Sequence, residues 1–228
     1  APKFSDPYSY GQGTNWQDEV FNNNAPMMNH QVSVSGASEK VNYLFSLGFY
    51  TQDGIVGGNF DRSNYERLTL RSNTQYTLFD ESKERNWLNS LKVTSNLSYA
   101  RIKSTNFDDN STWGTPLGSA LALSPILNVY DETEEAIKAQ FDKYGTTAEY
   151  TPVYDPRNGK LFSIPGEFGE MSNPIAKLSL PGDKHWSHKF VANFSAELQL
   201  WDNLKFKTSY GADLSFWGYD SYRPLYYL

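Results

Sequence analysis

Three histidines, His30, His185 and His188, are the side chains of this sequence best suited to a transition metal. Cysteine is absent, which removes disulfides and thiolate metal sites. His185 and His188 point to opposite faces of an extended chain, and His30 lies far away in sequence, so no metal is expected. The acids Asp131, Glu132, Glu134 and Glu135 lack the alternating oxygen ligands and glycine turn of a calcium loop. They suit the first turn of a helix over 131–143, capped by Asp131 or Thr133, with Ile137 and Phe141 on one face. Asp108-Asp109-Asn110 reads as a turn. No nucleophile elbow, phosphate loop or zincin box occurs, and Gly57-Gly58 reads as a loop hinge. Catalytic residues and cofactors are therefore not expected, and the chain does not read as an enzyme. A β-rich glycoside hydrolase would need two carboxylates held about 5–10 Å apart, and no pair stands out.

Binding chemistry is better represented. Aromatics make up 16% of the 228 residues, with 16 Tyr, 14 Phe and 6 Trp. Trp113, Tyr130, Tyr150, Tyr154 and Phe162, with Phe141 and Tyr144, fall in one long segment. Such rings stack on sugars or pack against a partner protein; equally, they can fold the segment onto itself. A second polar set, Arg67, Arg71, Glu197, Lys205, Lys207 and Asp213, sits at alternate positions in strand-like stretches. Such charges can meet a substrate or simply solvate a wet wall. The net charge of −6 argues against nucleic acid as a partner.

The elements that must position these residues follow from period-two alternation. The pattern predicts strands near 28–36, 41–51, 64–79, 90–103, 187–200 and 204–219. The clearest apolar row is Phe190, Ala192, Phe194, Ala196, Leu198 and Leu200, against Val191, Asn193, Ser195, Glu197 and Gln199. Residues 1–27 read as a loop, 28–103 as four strands, 104–184 as one long loop, and 185–228 as two strands and the start of a loop. Ala1–Asp6 shows no basic segment followed by an apolar core, so no signal peptide is expected there.

Several of these strands reach about 14–16 residues, where globular strands peak near 5–6. Connections alternate between short (37–40, 80–88, 201–203) and long (52–63, 104–184). Outer-membrane barrels have this asymmetry, with short periplasmic turns and long extracellular loops. On that reading Trp87 and Trp201 mark the periplasmic interface, and Phe49, Tyr50, Trp217 and Tyr219 an aromatic girdle at the other. No run of about 18 apolar residues suggests a transmembrane helix. A soluble β-sandwich with one wet face would show the same alternation.

A family resemblance adds to this. Asn15-Trp-Gln-Asp-Glu-Val-Phe21, Ala25-Pro26, Asn29-His-Gln-Val-Ser-Val-Ser-Gly36, Tyr43–Gly48 and Gln52-Asp-Gly-Ile-Val56 stand in fixed order. Tyr65–Arg71 and Ser172-Asn-Pro-Ile-Ala176 follow. This set resembles the SusC/RagA-like TonB-linked outer-membrane transporters of Bacteroidetes, with Asn15 where Asp is common and Asp53 where Glu is common. The resemblance implies a mid-barrel section of a 22-stranded transmembrane β-barrel, without a match to the plug or TonB box. It implies location in the outer membrane of a Gram-negative bacterium. It also implies import of glycans or oligopeptides, with a SusD-like surface lipoprotein as lid and a TonB complex engaging an N-terminal region not matched here. Outer-membrane lipid and the glycan or peptide substrate complete the expected partners. The fold expected is an all-β, antiparallel up-and-down meander of about six long strands. The loop aromatics would then contact substrate or lid, and the charged set would face the lumen. The other open reading is a soluble β-rich carbohydrate-binding module.

Overall fold

The structure is a computed structural model that describes residues 6–60, 63–79, 87–107, 114–131, 133–135, 138–139, 142, 152–165 and 171–221. Trp113, Tyr150, Phe141, Tyr144, the turn at Asp108-Asp109-Asn110, the charged turn at 80–86 and the loop start at 222–228 lie outside those residues, as do six of the thirteen positions of the helix expected over 131–143, of which 134–135, 138–139 and 142 are helical.

Six antiparallel strands form one meander sheet in the order β1-β2-β3-β4-β5-β6. They are β1 (Met27–Ala37), β2 (Val41–Asp53), β3 (Asn64–Phe79), β4 (Ser90–Asn106), β5 (Asp183–Trp201) and β6 (Leu204–Asp220). Each strand pairs with its chain neighbour, so β1 and β6 keep one open edge each among the described residues. The β1–β2, β3–β4 and β5–β6 connections lie at one end, the lower rim. The segments before β1, between β2 and β3, and between β4 and β5 gather at the upper rim.

Register carries the alternation across the sheet. Val32, Leu47, Leu70, Tyr99, Phe190 and Leu214 are successive Cα partners and make one apolar row. The next row toward the lower rim is Val34, Phe45, Ser72, Leu97, Ala192 and Ala212. A bulge between Thr77 and Phe79 shifts the alternation, so Phe79, not Leu78, lies opposite Leu91. A second irregularity falls between Gln199 and Trp201. There the buried Gln199 amide donates to the carbonyls of Trp201 (2.7 Å) and Asp202 (3.0 Å) and closes the β5–β6 turn.

The location of the core decides between the two architectures open to the sequence. Every buried apolar side chain among the described residues lies outside the six strands, at the upper rim. Trp16, Val20, Phe162, Ile175, Ala176 and Leu178 are central to it. The apolar strand face stays open: Phe194 is 45% exposed, and Val32, Phe45, Leu97 and Leu214 are comparably open. A β-sandwich would bury that face against a second sheet. On β6 the face runs from Phe206 to Phe216, ten residue steps. That is ~33 Å along the strand, or ~25 Å along the normal at a ~40° tilt, the height of an outer-membrane apolar band.

The upper core is built from short elements. Asn15 caps α1 (Trp16–Val20), with Asp18 and Glu19 complementing the N-terminal dipole. Thr115 caps α2 (Pro116–Ala122), and Asn173 caps α3 (Pro174–Ser179); both helices begin with proline. A 3-10 turn, Pro7–Tyr10, precedes them. Within the stretch read as loop from residue 1 to 27, two helical pieces therefore form.

Candidate functional site

Three surfaces could carry function: the clasped loops of the upper core, the polar strand face, and the apolar strand face.

The first is centred on Asp155, which is 0% exposed. Residues 153–163 fold as a small hairpin. The Asp155 N–H donates to the Lys160 carbonyl (2.8 Å), and the Phe162 N–H to that of Val153 (3.0 Å). A third segment joins it through the Tyr130–Phe162 bridge. Arg157 Nε donates to both Asp155 oxygens (3.0 and 3.2 Å) and Nη2 to Oδ2 at 2.7 Å. Nη1 reaches the Gly58 carbonyl at 2.8 Å, and the guanidinium lies 3.7 Å from the centre of the Phe60 ring. The Tyr130 hydroxyl donates to Asp155 Oδ2 (2.7 Å). Burial alone pushes the Asp155 carboxyl up. The Arg157 side chain and backbone N–H, with the Tyr130 hydroxyl, outweigh that and hold it at about 2. Burial, then the bond to Asp155, raises Tyr130; Arg157's own bonds to Asp155 raise Arg157. Every polar group of this cluster is aimed at another, so it staples the loop 54–60 to the hairpin.

This places the loop aromatics expected to make contacts. Phe162 is 2% exposed and belongs to the core. Tyr130 stacks on it (centroids 5.4 Å apart) and is tied to Asp155. Tyr154 is 48% exposed, and its hydroxyl donates to Glu134 Oε2 (3.3 Å). Burial and the Glu134 carboxylate raise its pKa. Two of the three described rings thus order the loop, and Tyr154 alone among them is open to solvent. The ordered sequence boxes serve this core too. The Trp16 indole donates to the Ser124 carbonyl (3.0 Å). Phe21 bridges Val56. The Asn173 amide oxygen accepts from the N–H groups of Ile175 and Ala176, while its nitrogen donates to the Val129 carbonyl (2.9 Å).

The second surface holds the charged set. Register puts Arg67, Arg71, Glu197, Lys205, Lys207 and Asp213 all on the face opposite the apolar rows. Lys92 and Lys189 join them. Lys92, Glu197 and Lys207 are successive partners across β4, β5 and β6. Lys189 pairs with Asp213 at 3.3 Å. Arg67 lies over the Tyr50 ring, 5.5 Å from its centre.

The expected aromatic girdle is corrected here. Phe49 does lie on the apolar face, as a partner of Leu68 and His30. Tyr50, Trp217 and Tyr219 lie on the polar face, because each is an odd number of residues from its strand's apolar row. The apolar face instead carries Tyr99, Trp186, His188 and Phe216 at its upper limit. Tyr99 shares a 2.8 Å hydrogen bond with His188, and Trp186 packs edge-on against that imidazole. His185 is on the other face, beside Tyr219. His30 lies in the same row as His188 but four strands away.

The third surface is the apolar face itself. A 500 Å³ depression lies there, where Ser72 and Ala192 are small between Phe45, Leu47, Tyr99 and Phe190. It lacks the convergent polar groups of a small-molecule site.

Comparison with known proteins agrees with this geometry. The chain is 28% identical over 193 residues to the TonB-dependent receptor SusC of Bacteroides thetaiotaomicron, covering 82% of this chain and 16% of the receptor. It is 27% identical over 210 residues to TonB-dependent receptor P3 of Formosa agariphila, covering 91% and 17%. To receptor P26 of the same organism it is 31% identical over 190 residues, covering 83% and 15%. The chain thus spans about a sixth of the length of these relatives. No protein-family model matches it. The RagAB peptide importer has a similar fold, in its open-open and its closed-closed state alike, with TM-score 0.57 and 21% identity. That likeness covers 92% of this chain and 19% of the open-open importer chain. The ordered sequence boxes, the six-stranded meander and these relatives identify the chain as a SusC-like section of the TonB-dependent receptors.

Proposed function

We propose that this chain forms part of the wall of an outer-membrane nutrient importer and works by gated passage, not by chemistry. One observation carries the reading: the apolar strand face is exposed along its whole length while the buried core sits at one rim. Water does not tolerate such a face on a monomeric protein; acyl chains do. The polar face then lines the lumen, with Arg67, Arg71, Glu197, Lys205, Lys207 and Asp213 as wall charges. The upper rim points outward, and residues 104–184 form part of the extracellular mouth. Further strands of a 22-stranded barrel would cover the open edges of β1 and β6, which otherwise invite pairing with other chains.

The reading includes a SusD-like lipoprotein capping the mouth, TonB-driven release and a glycan or oligopeptide cargo; the likeness to TonB-dependent receptors and to a peptide importer supports it. Tyr154, whose ring is exposed, is proposed to meet a lid or cargo, together with Trp113 and Tyr150.

The test is the intact mass of the protein isolated from its host, with and without detergent extraction of the membrane fraction. A mass several times 26.0 kDa, released only by detergent, is the expected result. A 26.0 kDa protein in the aqueous fraction would overturn the importer reading in favour of a soluble binding module.

A further inference from the structure

The polar face is unevenly charged. Its strand residues include six cations, among them Arg67, Arg71 and Lys189, and three acids, Asp183, Glu197 and Asp213. The chain as a whole carries 20 basic and 26 acidic side chains. On this wall the cations outnumber the acids two to one, against the balance of the chain. Asp213 is taken by Lys189, and Glu197 lies between Lys92 and Lys207. Arg67, toward the mouth, and Arg71, four residues further down β3, have no carboxylate within 4.0 Å among the described residues.

The same part of the wall is aromatic. Tyr50 and Tyr65 pack edge to face, 5.9 Å apart, at the β2–β3 side. Trp217 and Tyr219 stand on β6, 73% and 62% exposed. Register puts Ile102 and Ser187 between Arg67 and Trp217, and Ser104 and His185 between Tyr65 and Tyr219. Ile102, Ser187, Ser104 and His185 thus floor a trough between two aromatic shoulders three strands apart, ~14 Å at the usual strand spacing. Exposed flat rings suit the apolar faces of sugar rings, and guanidinium groups suit carboxylates.

We infer that the upper lumen wall is a contact surface for an acidic oligosaccharide, its sugar rings stacked on Trp217 and Tyr219 and its carboxylates met by Arg67 and Arg71. This rests on the importer reading, which makes the polar face a lumen. Charge complementarity selects the occupant: a neutral glycan would use the rings and leave the arginines idle.

The test uses the protein at its natural length in detergent micelles and isothermal titration with three probes. They are oligogalacturonate, its methyl ester (the same backbone without charge) and oligoglutamate. Oligogalacturonate should bind at least about tenfold tighter than its ester, as expected for charge-assisted hydrogen bonds. The preference should weaken steeply with salt. The double variant Arg67→Gln/Arg71→Gln should abolish the preference and leave ester binding unchanged. Trp217→Ala should weaken both sugars about fivefold. Equal affinity for acid and ester, a preference that survives in the double variant, or tighter binding of oligoglutamate each overturns the inference. Failure of the two readings is distinguishable. A membrane-embedded protein that ignores oligogalacturonate sinks this inference alone; recovery from the aqueous fraction sinks the importer reading whatever it binds.

Discussion

Replacing Asp155 by Asn keeps the shape of a fully buried side chain and removes its charge. Ionised Asp155 holds Arg157 through three contacts of 2.7–3.2 Å and accepts from the Tyr130 hydroxyl. Its carboxyl is lowered from 3.8 to about 2, which corresponds to about 2 kcal/mol of stabilisation. An asparagine keeps one acceptor oxygen and turns an amide N–H₂ toward groups that are themselves donors, a further loss of about 1 kcal/mol. Asp155→Asn should therefore ease opening of the 153–163 hairpin by about 2–3 kcal/mol, or about thirty- to a hundred-and-fifty-fold in amide exchange. Hydrogen exchange read by mass spectrometry at Asp155, Gly159 and Phe162 measures it directly, since all three N–H groups bond within the hairpin. Strand β5 serves as the internal control. Because the folded pKa is depressed, the charge contribution is complete above about pH 4 and is lost as pH falls through about 2. Wild type and variant should converge there. A change below threefold at neutral pH, with β5 unaltered, would refute the argument that this ion pair holds the loops together.

Phe194 sits midway down the exposed apolar face, and Phe194→Arg should cost about 2–4 kcal/mol if that face meets the bilayer midplane; heat-modifiable gel migration of the membrane fraction reads barrel assembly, and normal assembly would contradict the lipid-facing assignment. Asn173 is 0% exposed and both caps α3 and binds the Val129 carbonyl. Its replacement by Ala should cost about 1–3 kcal/mol, seen as faster proteolysis near 171–180 with strand protection retained. A Cβ on Gly218 would come within 2.6 Å of Trp186. Gly218→Val should displace that indole and shift its fluorescence, whereas an unchanged emission spectrum would mean the ring does not pack there.

The strands were legible because burial of one face leaves a period of two in the residue types, as in Phe190–Leu198, and no other element leaves that mark. Their register needed the structure at two places, since nothing in Thr77-Leu78-Phe79 announces a bulge. The girdle was misread because aromatic type and height on the strand were weighed while parity was not; Tyr50 beside Phe49 must face the other way. Asn173-Pro174 carried a readable signal, a capping side chain before a proline. Arg157 did not. Its partners include Gly58, 99 residues away in sequence, and a loop arginine beside an aspartate looks the same whether it clasps a neighbouring loop or waves in solvent. Phe162 and Tyr154 are likewise indistinguishable by type, although one is core and the other open.

The clustering of the buried core at one rim also bears on how the sheet comes together. Four of its five strand pairings join segments a short turn or modest loop apart, but β4 and β5 must meet across residues 107–182. Closing a floppy connection of that length costs roughly 4 kcal/mol of chain entropy. The helices and hairpin within it shorten what must be closed. α2 and α3 pack on α1, and the Thr14 N–H bonds to the Pro125 carbonyl at 2.8 Å. What then remains to be closed is short: Gly182 lies so near the Asn106 backbone that a side chain there would collide with its carbonyl. The rim core is thus a jig that brings Asn106 to Asp183, and from that first pair the rest of the β4–β5 ladder can zip downward.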